Sequence, residues 1–368
     1  MNCFLTKIWR GIGLGSIGLI LAIVTNGCRG DEPPGLAAPP VELPSNQASE
    51  VVAAEKAVTV IRTRSRGQIA RHLGCCDGSG AVRLNRELMA VVNDEDSVLR
   101  VYDMYESGAP KQTLDLTEFL NREGQEADLE ALATIGNRLF GIASHARSKE
   151  GKKRKERRVF FALDFEFKGN QLSFSPVGRP YENLLEDLTE ADEFENLELK
   201  KASKKDGDSD KALNIEGLCS TPDGKLMLGF RAPVRGGDAF VVVLVNPHGL
   251  LMGRKPVWEG YHRLDMKDRG IRGLARLGAT YYIASRRDEG KAKARIYRWR
   301  GMSTKPERIS IPDVPDFNPE SIIPLSADEG NGLLVLLDEG SSKISGVACS
   351  DLKLPEKRSF RSLFIGGL

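Results

Sequence analysis

Short apolar runs separated by polar turns recur along most of the chain. Five segments share one layout, in which an apolar strand, a polar turn and a second apolar strand follow one another. Their turn tips are LNRE near 86, IGNR near 137, PDGK near 224, LGAT near 279 and DEGN near 330. Once an insertion at 179–213 is set aside, the tips recur about every 50 residues, a period typical of β-propeller blades.

Further strand-like runs follow these hairpins. They are RVFFALDFEF and NQLSFSPV after the second, AFVVVLVNP and KPVWEGY after the third, and ARIYRWRG and PERISIPD after the fourth. Alternating polarity and β-branched or aromatic residues favour strands. The sequence therefore predicts an all-β fold, a β-propeller of five four-stranded blades, and leaves a sixth open. In the last blade we expect KISGVAC as the third strand and RSFRSLF as the fourth, with AVTVIRT at 57–63 closing the ring.

The N-terminus has the pattern of an export signal. Lys7 and Arg10 precede an uncharged stretch at 11–24, and TNGC ends at Cys28. This order resembles the bacterial lipoprotein signal, in which the cysteine is lipidated and becomes the new N-terminus. An uncleaved anchor is the alternative, but the apolar run is shorter than the ~20 residues that a spanning helix needs. We therefore expect an exported protein held on a bilayer through Cys28, on the periplasmic or cell-surface side.

The sequence predicts three regions. Residues 1–28 form the signal, residues 29–56 form a Pro- and Ala-rich tether, and residues 57–368 form the propeller with its insertion at 179–213. The tether contains too few bulky apolar residues to bury a core. We expect the propeller to be a monomer.

The charge and cysteine composition limits the classes of partner and the chemistry that we expect. The chain has 53 basic and 51 acidic side chains, a formal net charge of +2. Such a balance gives no general attraction to nucleic acid, so we expect no nucleic-acid partner. Beyond Cys3 and Cys28, four cysteines remain at 75, 76, 219 and 349. Their spacing matches no zinc or redox motif, and we expect buried free thiols.

Two charged segments interrupt the repeat. In the insertion, Leu184, Leu185 and Leu188 recur at helical spacing among acidic residues, which predicts an acidic amphipathic helix followed by a mobile loop. The basic run KEGKKRKERR at 149–158 lies between two strands of the second blade. We expect it to be solvated, since charge runs usually are. The alternatives are pairing with the acidic insertion as a lid, or contact with an anionic surface.

Ionisable residues recur where each hairpin opens. In a propeller, the start of a blade's first strand lies beside the end of its second, at one end of the channel. Counting outward from the turns gives five neighbouring sets: Glu216 with Arg231, Glu130 with Ser144 and His145, Arg272 with Arg286, Glu320 with Glu339, and Asp77 with Asp94. We expect these side chains to converge at one channel mouth.

Six of these residues are candidate ligand-binding side chains: Glu130, Glu216, Arg231, Arg272, Glu320 and Arg286. Carboxylates can hold a cation and paired arginines can hold an anion. The same groups can also serve only as ion pairs between blades. As metal ligands, the candidates are Glu130, Glu216 and Glu320.

The segment DGDSD at 206–210 is a weak calcium-loop pattern, because Lys211 occupies the position that requires glycine. No P-loop and no nucleophile elbow occurs in the sequence.

Several short motifs together resemble a bacterial family known as domain of unknown function 3616. They are NIEGLCSTPDGKLMLGFRAPV, DAFVVVLVNP, DRGIRGLA, IYRWRG, NPESI and LLVLLDEG, and they cover roughly residues 74–342. The chain departs from the family pattern at KDRGIR and LDEG. The resemblance implies a propeller and no established activity. The layout is also distantly similar to phytase-like propellers, in which carboxylates at the channel mouth hold calcium.

These observations lead to two expectations about function. The first is a membrane-anchored binding module for a small charged ligand or an envelope component at the channel mouth. The second is a calcium-dependent phosphoesterase, a metal-dependent phosphoric ester hydrolase, in which the metal activates water. No catalytic base or nucleophile is identifiable in the sequence, so the first is preferred and no cofactor is firmly implied.

Overall fold

The computed structural model of the protein describes residues 67–287, 293–301 and 304–368. Its first strand, β1 (Ile69–Leu73), lies at the outer edge of the last blade. Blade 1 then follows as an antiparallel meander of four strands: β2 (Gly80–Arg83), β3 (Leu88–Val92), β4 (Val98–Asp103) and β5 (Gln112–Asp115).

Blades 2 to 4 repeat this meander. Blade 2 contains β6 (Leu129–Ile135), β7 (Arg138–Ala143), β8 (Phe160–Lys168) and β9 (Gln171–Pro176). Blade 3 contains β10 (Asn214–Ser220), β11 (Leu226–Ala232), β12 (Asp238–Leu244) and β13 (Trp258–Asp265). Blade 4 contains β14 (Gly270–Leu277), β15 (Thr280–Arg286), β16 (Arg295–Trp299) and β17 (Glu307–Ile309). All the strands predicted for these three blades are present.

Blade 5 differs from the prediction in its outer half. Its inner strands are β18 (Pro319–Leu325) and β19 (Gly332–Leu337). The segment KISGVAC does not supply the third strand, because it forms a separate small hairpin of β20 (Lys343–Ile344) and β21 (Val347–Ala348). The third strand is β22 (Ser359–Gly366), which contains most of the predicted fourth strand.

The outermost strand of blade 5 is β1, which pairs antiparallel with β22. A strand that precedes blade 1 therefore closes the ring, and among the described residues this strand is residues 69–73. The segment at 57–63 that we expected in this role lies outside the described residues. Because the inner strand of each blade contacts the inner strand of the next, and β18 contacts β2, the described residues form a closed five-bladed propeller.

Apolar side chains fill the spaces between blades. Every residue of β19 is buried, as are all but the last residue of β10. A neighbouring blade covers each face of these strands, so β19 is a continuous apolar run and β10 is apolar apart from Asn214, Glu216 and Ser220. The four α-helices of the described residues are short: α1 (Thr117–Leu120), α2 (Leu184–Glu190), α3 (Leu199–Ala202) and α4 (Pro247–Leu250). None of them is long and apolar enough to cross a membrane.

The acidic insertion is folded against blades 2 and 3. As predicted, Leu184, Leu185 and Leu188 are buried on one face of α2, where they join the apolar cluster between these blades. A 3₁₀ turn at Asp192–Leu197 adds the buried Phe194. The loop that follows is not a free loop, because the Gly207 N–H donates to the carbonyl of Ser148. The insertion is therefore part of the folded propeller.

The expectation of free thiols is wrong for one pair of cysteines. Cys76 and Cys349 form a disulfide that spans 273 residues of sequence. Cys75 and Cys219 are buried and free, as expected. Sequence spacing could not show the bond, because closure of the ring brings together the first and last blades, which carry its two ends. Such a bond is typical of proteins that fold in an oxidising compartment.

Candidate functional site

A polar cavity of about 740 Å³ lies at the end of the channel where the inner strands begin. All five blades contribute to its wall. Its ionisable lining consists of ten acidic and six basic side chains: Asp77, Asp94, Glu95, Glu126, Asp128, Glu130, Asp208, Glu216, Glu320 and Asp338, with Arg147, Lys149, Arg157, Arg231, Arg272 and Arg286. The six candidate ligand-binding residues all line this one cavity.

A β-bulge presents the inner ring of charge. Glu130, Glu216, Arg272 and Glu320 each occupy a position where the register between the first and second strands shifts. A bulge leaves one residue out of the strand pairing and redirects its side chain. The same irregularity in four blades therefore turns four ionisable side chains toward the channel.

A small residue follows each ring position. These residues are Ala131, Gly217, Gly273 and Ser321, and in blade 1 the equivalent pair is Ser79 followed by Gly80. At Gly273, a Cβ atom would lie 2.3 Å from the carbonyl oxygen of Glu320. The inner strands thus approach too closely at the channel for a larger residue there.

Arginines neutralise part of the ring. The Arg272 guanidinium lies between two carboxylates, 2.8 Å from Glu216 and 3.3 Å from Glu320. Glu216 also accepts a hydrogen bond of 2.9 Å from Arg231, the partner predicted for it. Arg272 therefore joins blades 3, 4 and 5. The predicted neighbours Arg286 and Glu339 have other partners, since Arg286 donates to Asn318 and Glu339 accepts from Arg361.

The wall formed by blades 1 and 2 is acidic. Burial raises the pKa of Asp128 to about 7, although the nearby Arg157 and a hydrogen bond from Ser144 both lower it. Burial also raises the pKa of Asp94 to about 6, and the neighbouring Asp338 carboxylate adds to this shift. Burial and the Asp94 carboxylate raise the pKa of Asp77 well above its usual value. Ionised carboxylates at this wall thus repel one another at low dielectric.

Glu130 differs from the other ring carboxylates because it has no partner. Its residue is only 8% exposed, and its side chain lines the cavity. Among the described residues, no donor forms a hydrogen bond or an ion pair with its carboxylate. Burial and the Glu216 carboxylate raise its pKa well above the usual value. A buried carboxylate without a donor is costly, which makes Glu130 the strongest sign of a missing partner.

In the basic run at the cavity rim the four lysines are exposed, as expected of a solvated loop, whereas the three arginines are half-buried and form ion pairs. Arg157 is 3.1 Å from Asp128 and 2.6 Å from Glu126. Arg158 pairs with Glu186 of the acidic insertion at 2.5 Å. The two charged extensions therefore pair on the cavity side of the propeller, which was the alternative drawn from the sequence. The physical reason is that the carboxylates of the acidic wall attract the arginines of this run.

The sequence reasoning missed several wall residues. Asp128, Glu126 and Asp338 line the cavity beside the residues that were predicted. Asp128 could have been found, since it lies two positions before Glu130 and precedes the same strand. Arg157 could not, because a run of ten mostly basic residues does not reveal which member turns inward. Ser144, His145 and Glu339 are buried but do not line the cavity.

The donor groups do not form a metal-binding arrangement within the part of the chain that the structure describes. No group of three or more His, Cys, Asp or Glu side chains there could hold a metal ion. Of the predicted ligands, Glu216 and Glu320 already bind arginine. In DGDSD, Asp208 lies 3.8 Å from Lys149 at the rim. Calcium binding therefore stays a prediction that these contacts do not favour.

The buried wall should make stability fall as pH rises from about 6.5 to 8. Unfolded carboxyls, with pKa values of about 4, are ionised throughout this range, whereas Asp128 still holds its proton in the folded state near pH 6.5. The folded state then binds more protons, and rising pH favours unfolding. His145, with a pKa lowered by burial to about 4, opposes this effect weakly up to about pH 7.5, because its imidazole has a pKa of about 6.5 in the unfolded state and keeps part of its proton there.

Urea unfolding of the wild type and of Asp128→Asn at both pH values tests this expectation. The wild-type midpoint should be lower at pH 8, and the variant should show a smaller difference. A wild-type midpoint that is constant or rises over this range would show that the wall carboxylates titrate normally.

A family comparison supports the resemblance inferred from the motifs. The family described as Protein of unknown function (DUF3616) matches residues 177–344. This range contains the motifs from NIEGL to LDEG, and the resemblance is confirmed there. The predicted likeness at 74–176 is not part of the match. No curated protein matches the chain.

Solved structures with similar folds have varied functions. A GH43 β-1,3-galactosidase bound to galactodeoxynojirimycin is 11% identical, with a TM-score of 0.45, covering 82% of this chain and 94% of its own. A Trypanosoma rangeli sialidase with 2,3-difluorosialic acid is 11% identical, with a TM-score of 0.38, and the coverage is 74% and 44%. A Thermus thermophilus protein described as a putative oxidoreductase (glucose dehydrogenase) has 11% identity, a TM-score of 0.38 and coverage of 81% and 100%. Similarities of this size indicate no function.

Proposed function

We propose that this protein is an exported, membrane-anchored binding protein whose channel mouth holds a small charged ligand or an envelope component. The observation that carries the proposal is the buried, unpartnered Glu130 carboxylate in the wall of a charged cavity. Ion pairs that only hold blades together satisfy their members, as Arg272 does for Glu216 and Glu320. Glu130 has no such role, so a ligand supplies its partner.

The size and depth of the cavity support the same proposal. Its volume of about 740 Å³ lies within the usual range for small-molecule sites. The rim of its polar wall includes loop residues such as Arg147, Lys149 and Asp208, but its inner part comes from rigid inner strands, which carry Glu130, Glu216, Arg272 and Glu320. Such a wall holds charged groups in fixed positions before the ligand arrives, which lowers the entropy cost of binding.

Anchoring belongs to the same proposal. The signal and Cys28 lie outside the described residues, and support for export comes from the Cys76–Cys349 disulfide. Replacing Cys28 with alanine in cells should move the protein from the membrane fraction to the soluble fraction. Retention in the membrane fraction would contradict lipidation at this residue.

Thermal unfolding with a ligand panel tests the binding proposal. The panel contains amines, carboxylates, amino acids, phosphate esters and calcium, each added to the full-length protein. A compound present at about a hundred times its Kd should raise the unfolding midpoint by about 5 °C, because it binds only the folded state. The Glu130→Gln variant should lose most of this response, and the control Glu87→Gln should keep it.

Glu87 suits this control because it is exposed in the turn between β2 and β3, outside the cavity wall. If no compound shifts the wild-type midpoint, the proposal is wrong. Stabilisation by calcium that depends on Glu130 would instead favour the phosphoesterase, which ranks second because two of its three ligands already bind arginine.

A further inference from the structure

We infer that the ligand is a small zwitterion, with an ammonium group held at the acidic wall around Glu130 and a carboxylate group held by Arg286. This inference rests on the proposed function and names the ligand class for the same cavity.

Three acceptor groups at or next to the acidic wall have no hydrogen-bond donor in the described part of the chain. They are the Glu130 carboxylate, which faces the cavity, and the buried oxygens Asp94 Oδ1 and Asn214 Oδ1. Both residues line the cavity. All three groups accept hydrogen bonds, and an ammonium group brings several donors and a compensating charge. A ligand that carried only acceptors would leave this wall unsatisfied.

Arg286 provides a positive charge and hydrogen-bond donors, in contrast to the acceptors of the acidic wall. Its guanidinium lines the cavity and donates one hydrogen bond of 2.6 Å, to the side-chain oxygen of Asn318. That partner is neutral, and no described carboxylate lies within ion-pair distance of Arg286. Arg231 and Arg272, by contrast, are already paired with Glu216. Arg286 therefore has a charge and further N–H donors to offer a planar carboxylate.

The order of the blades around the channel separates the acidic wall from Arg286. Asp94 and Glu130 belong to blades 1 and 2, whereas Arg286 belongs to blade 4. Blade 3 separates them on one side of the ring and blade 5 on the other. A ligand that reaches both must carry its two charges at different ends.

The basic side chains of the wall limit the anionic group. Six of them line the cavity, and four, Lys149, Arg157, Arg231 and Arg272, already pair with carboxylates, so a doubly charged anion such as a phosphate ester would find too few other described cations to balance its charge. A zwitterion without excess negative charge avoids this. Its ammonium group also favours the ionised form of Glu130, whose pKa is raised by burial and by the Glu216 carboxylate. Binding should therefore release protons.

Titration calorimetry of the full-length protein with matched probes tests the inference. The series runs from glycine to 8-aminooctanoate and includes lysine, since the ligand length is the unknown. For the zwitterion that binds best, the corresponding alkyl amine and alkyl carboxylate of equal length serve as controls. The zwitterion should bind about tenfold or more tightly than either, because each control loses one charge-assisted contact.

Two variants test which residue binds the ammonium end of the ligand and which binds the carboxylate end. Glu130→Gln should weaken binding of the zwitterion and the amine but not of the carboxylate. Arg286→Met should weaken binding of the zwitterion and the carboxylate but not of the amine, and Arg286→Lys should restore part of the affinity. Titrations in two buffers of different ionisation enthalpy should show proton release with the wild type and less with Glu130→Gln. Each variant's unfolding midpoint is measured first, so that loss of fold is not mistaken for loss of binding.

Three results would overturn the inference. In one, the amine binds as tightly as the zwitterion, which indicates a simple cation site. In another, the carboxylate does so, which indicates an anion site. In the third, no zwitterion binds although another panel compound stabilises the protein through Glu130. This last result leaves the proposed function standing and rejects only the ligand class.

Discussion

Replacing Arg272 with methionine is expected to lower the free energy of unfolding by about 3–5 kcal/mol. Arg272 holds Glu216 and Glu320 together at the channel, and both carboxylates are almost fully buried. Without it, Glu216 keeps Arg231, but Glu320 loses the partner that offsets its burial. An uncompensated carboxylate of this kind is among the most destabilising changes that a single substitution produces.

Urea unfolding of four proteins measures this effect. They are the wild type, Arg272→Met, the control Arg86→Met and the double variant Arg272→Met/Glu320→Gln. Arg86 forms an exposed pair with Asp328, so its loss should change stability little. The double variant should recover part of the stability, because glutamine carries no charge to compensate. A loss of less than about 1 kcal/mol in Arg272→Met would show that this network is solvated rather than buried.

Replacing both Cys76 and Cys349 with alanine should lower the free energy of unfolding by about 2–5 kcal/mol. The bond joins residues 273 positions apart, so it strongly restricts the unfolded chain. It also fixes the rim of the cavity, since Asp77 follows Cys76 and Ser350 follows Cys349, and both line the wall. The Glu339 N–H donates to the carbonyl of Cys76, which joins the same two segments.

Adding a reductant separates stabilisation by the disulfide bond from the loss of side-chain packing in the double alanine variant. It should lower the urea midpoint of the wild type and leave that of the double alanine variant unchanged. Cys219→Ala is the matched control, because Cys219 is buried and free and its replacement removes no crosslink. Equal midpoints for wild type and double variant, both without reductant, would contradict a stabilising disulfide.

The blades were predictable because their chemistry is local. Alternating apolar residues, glycine-containing turns and a repeat of about 50 residues are all visible in the printed sequence. The last blade was misassigned because two of its strands lie far apart in the chain, and β1 finds β22 only when the ring closes. The apolar run near 343–349 resembles a strand, but a glycine turn folds it into the separate hairpin of β20 and β21.

Which residues form the candidate site was predictable in part, since all six candidate ligand-binding residues line the cavity, but most of their ion pairs were not predictable. Counting from the turns brought Glu216 and Arg231 together because both lie on one hairpin. It could not show that Arg272 reaches Glu320 on the next blade, which depends on how closely the inner strands approach. Nor could it separate Glu130 from the other carboxylates, since a missing partner is a property of the folded wall. The bulges that aim these side chains also leave no mark in the polarity pattern.

Binding at the channel mouth is tested by the affinity of one ligand for two variants that each replace a glutamate with glutamine. The compound that most stabilises the full-length protein is titrated by calorimetry into the wild type, Glu130→Gln and Glu87→Gln. If the channel mouth is the binding site, Glu130→Gln should weaken binding about tenfold or more, which corresponds to the loss of one charge-assisted contact. Glu87→Gln should bind as the wild type does. Equal affinity in all three proteins would place the ligand elsewhere and contradict binding at the channel mouth.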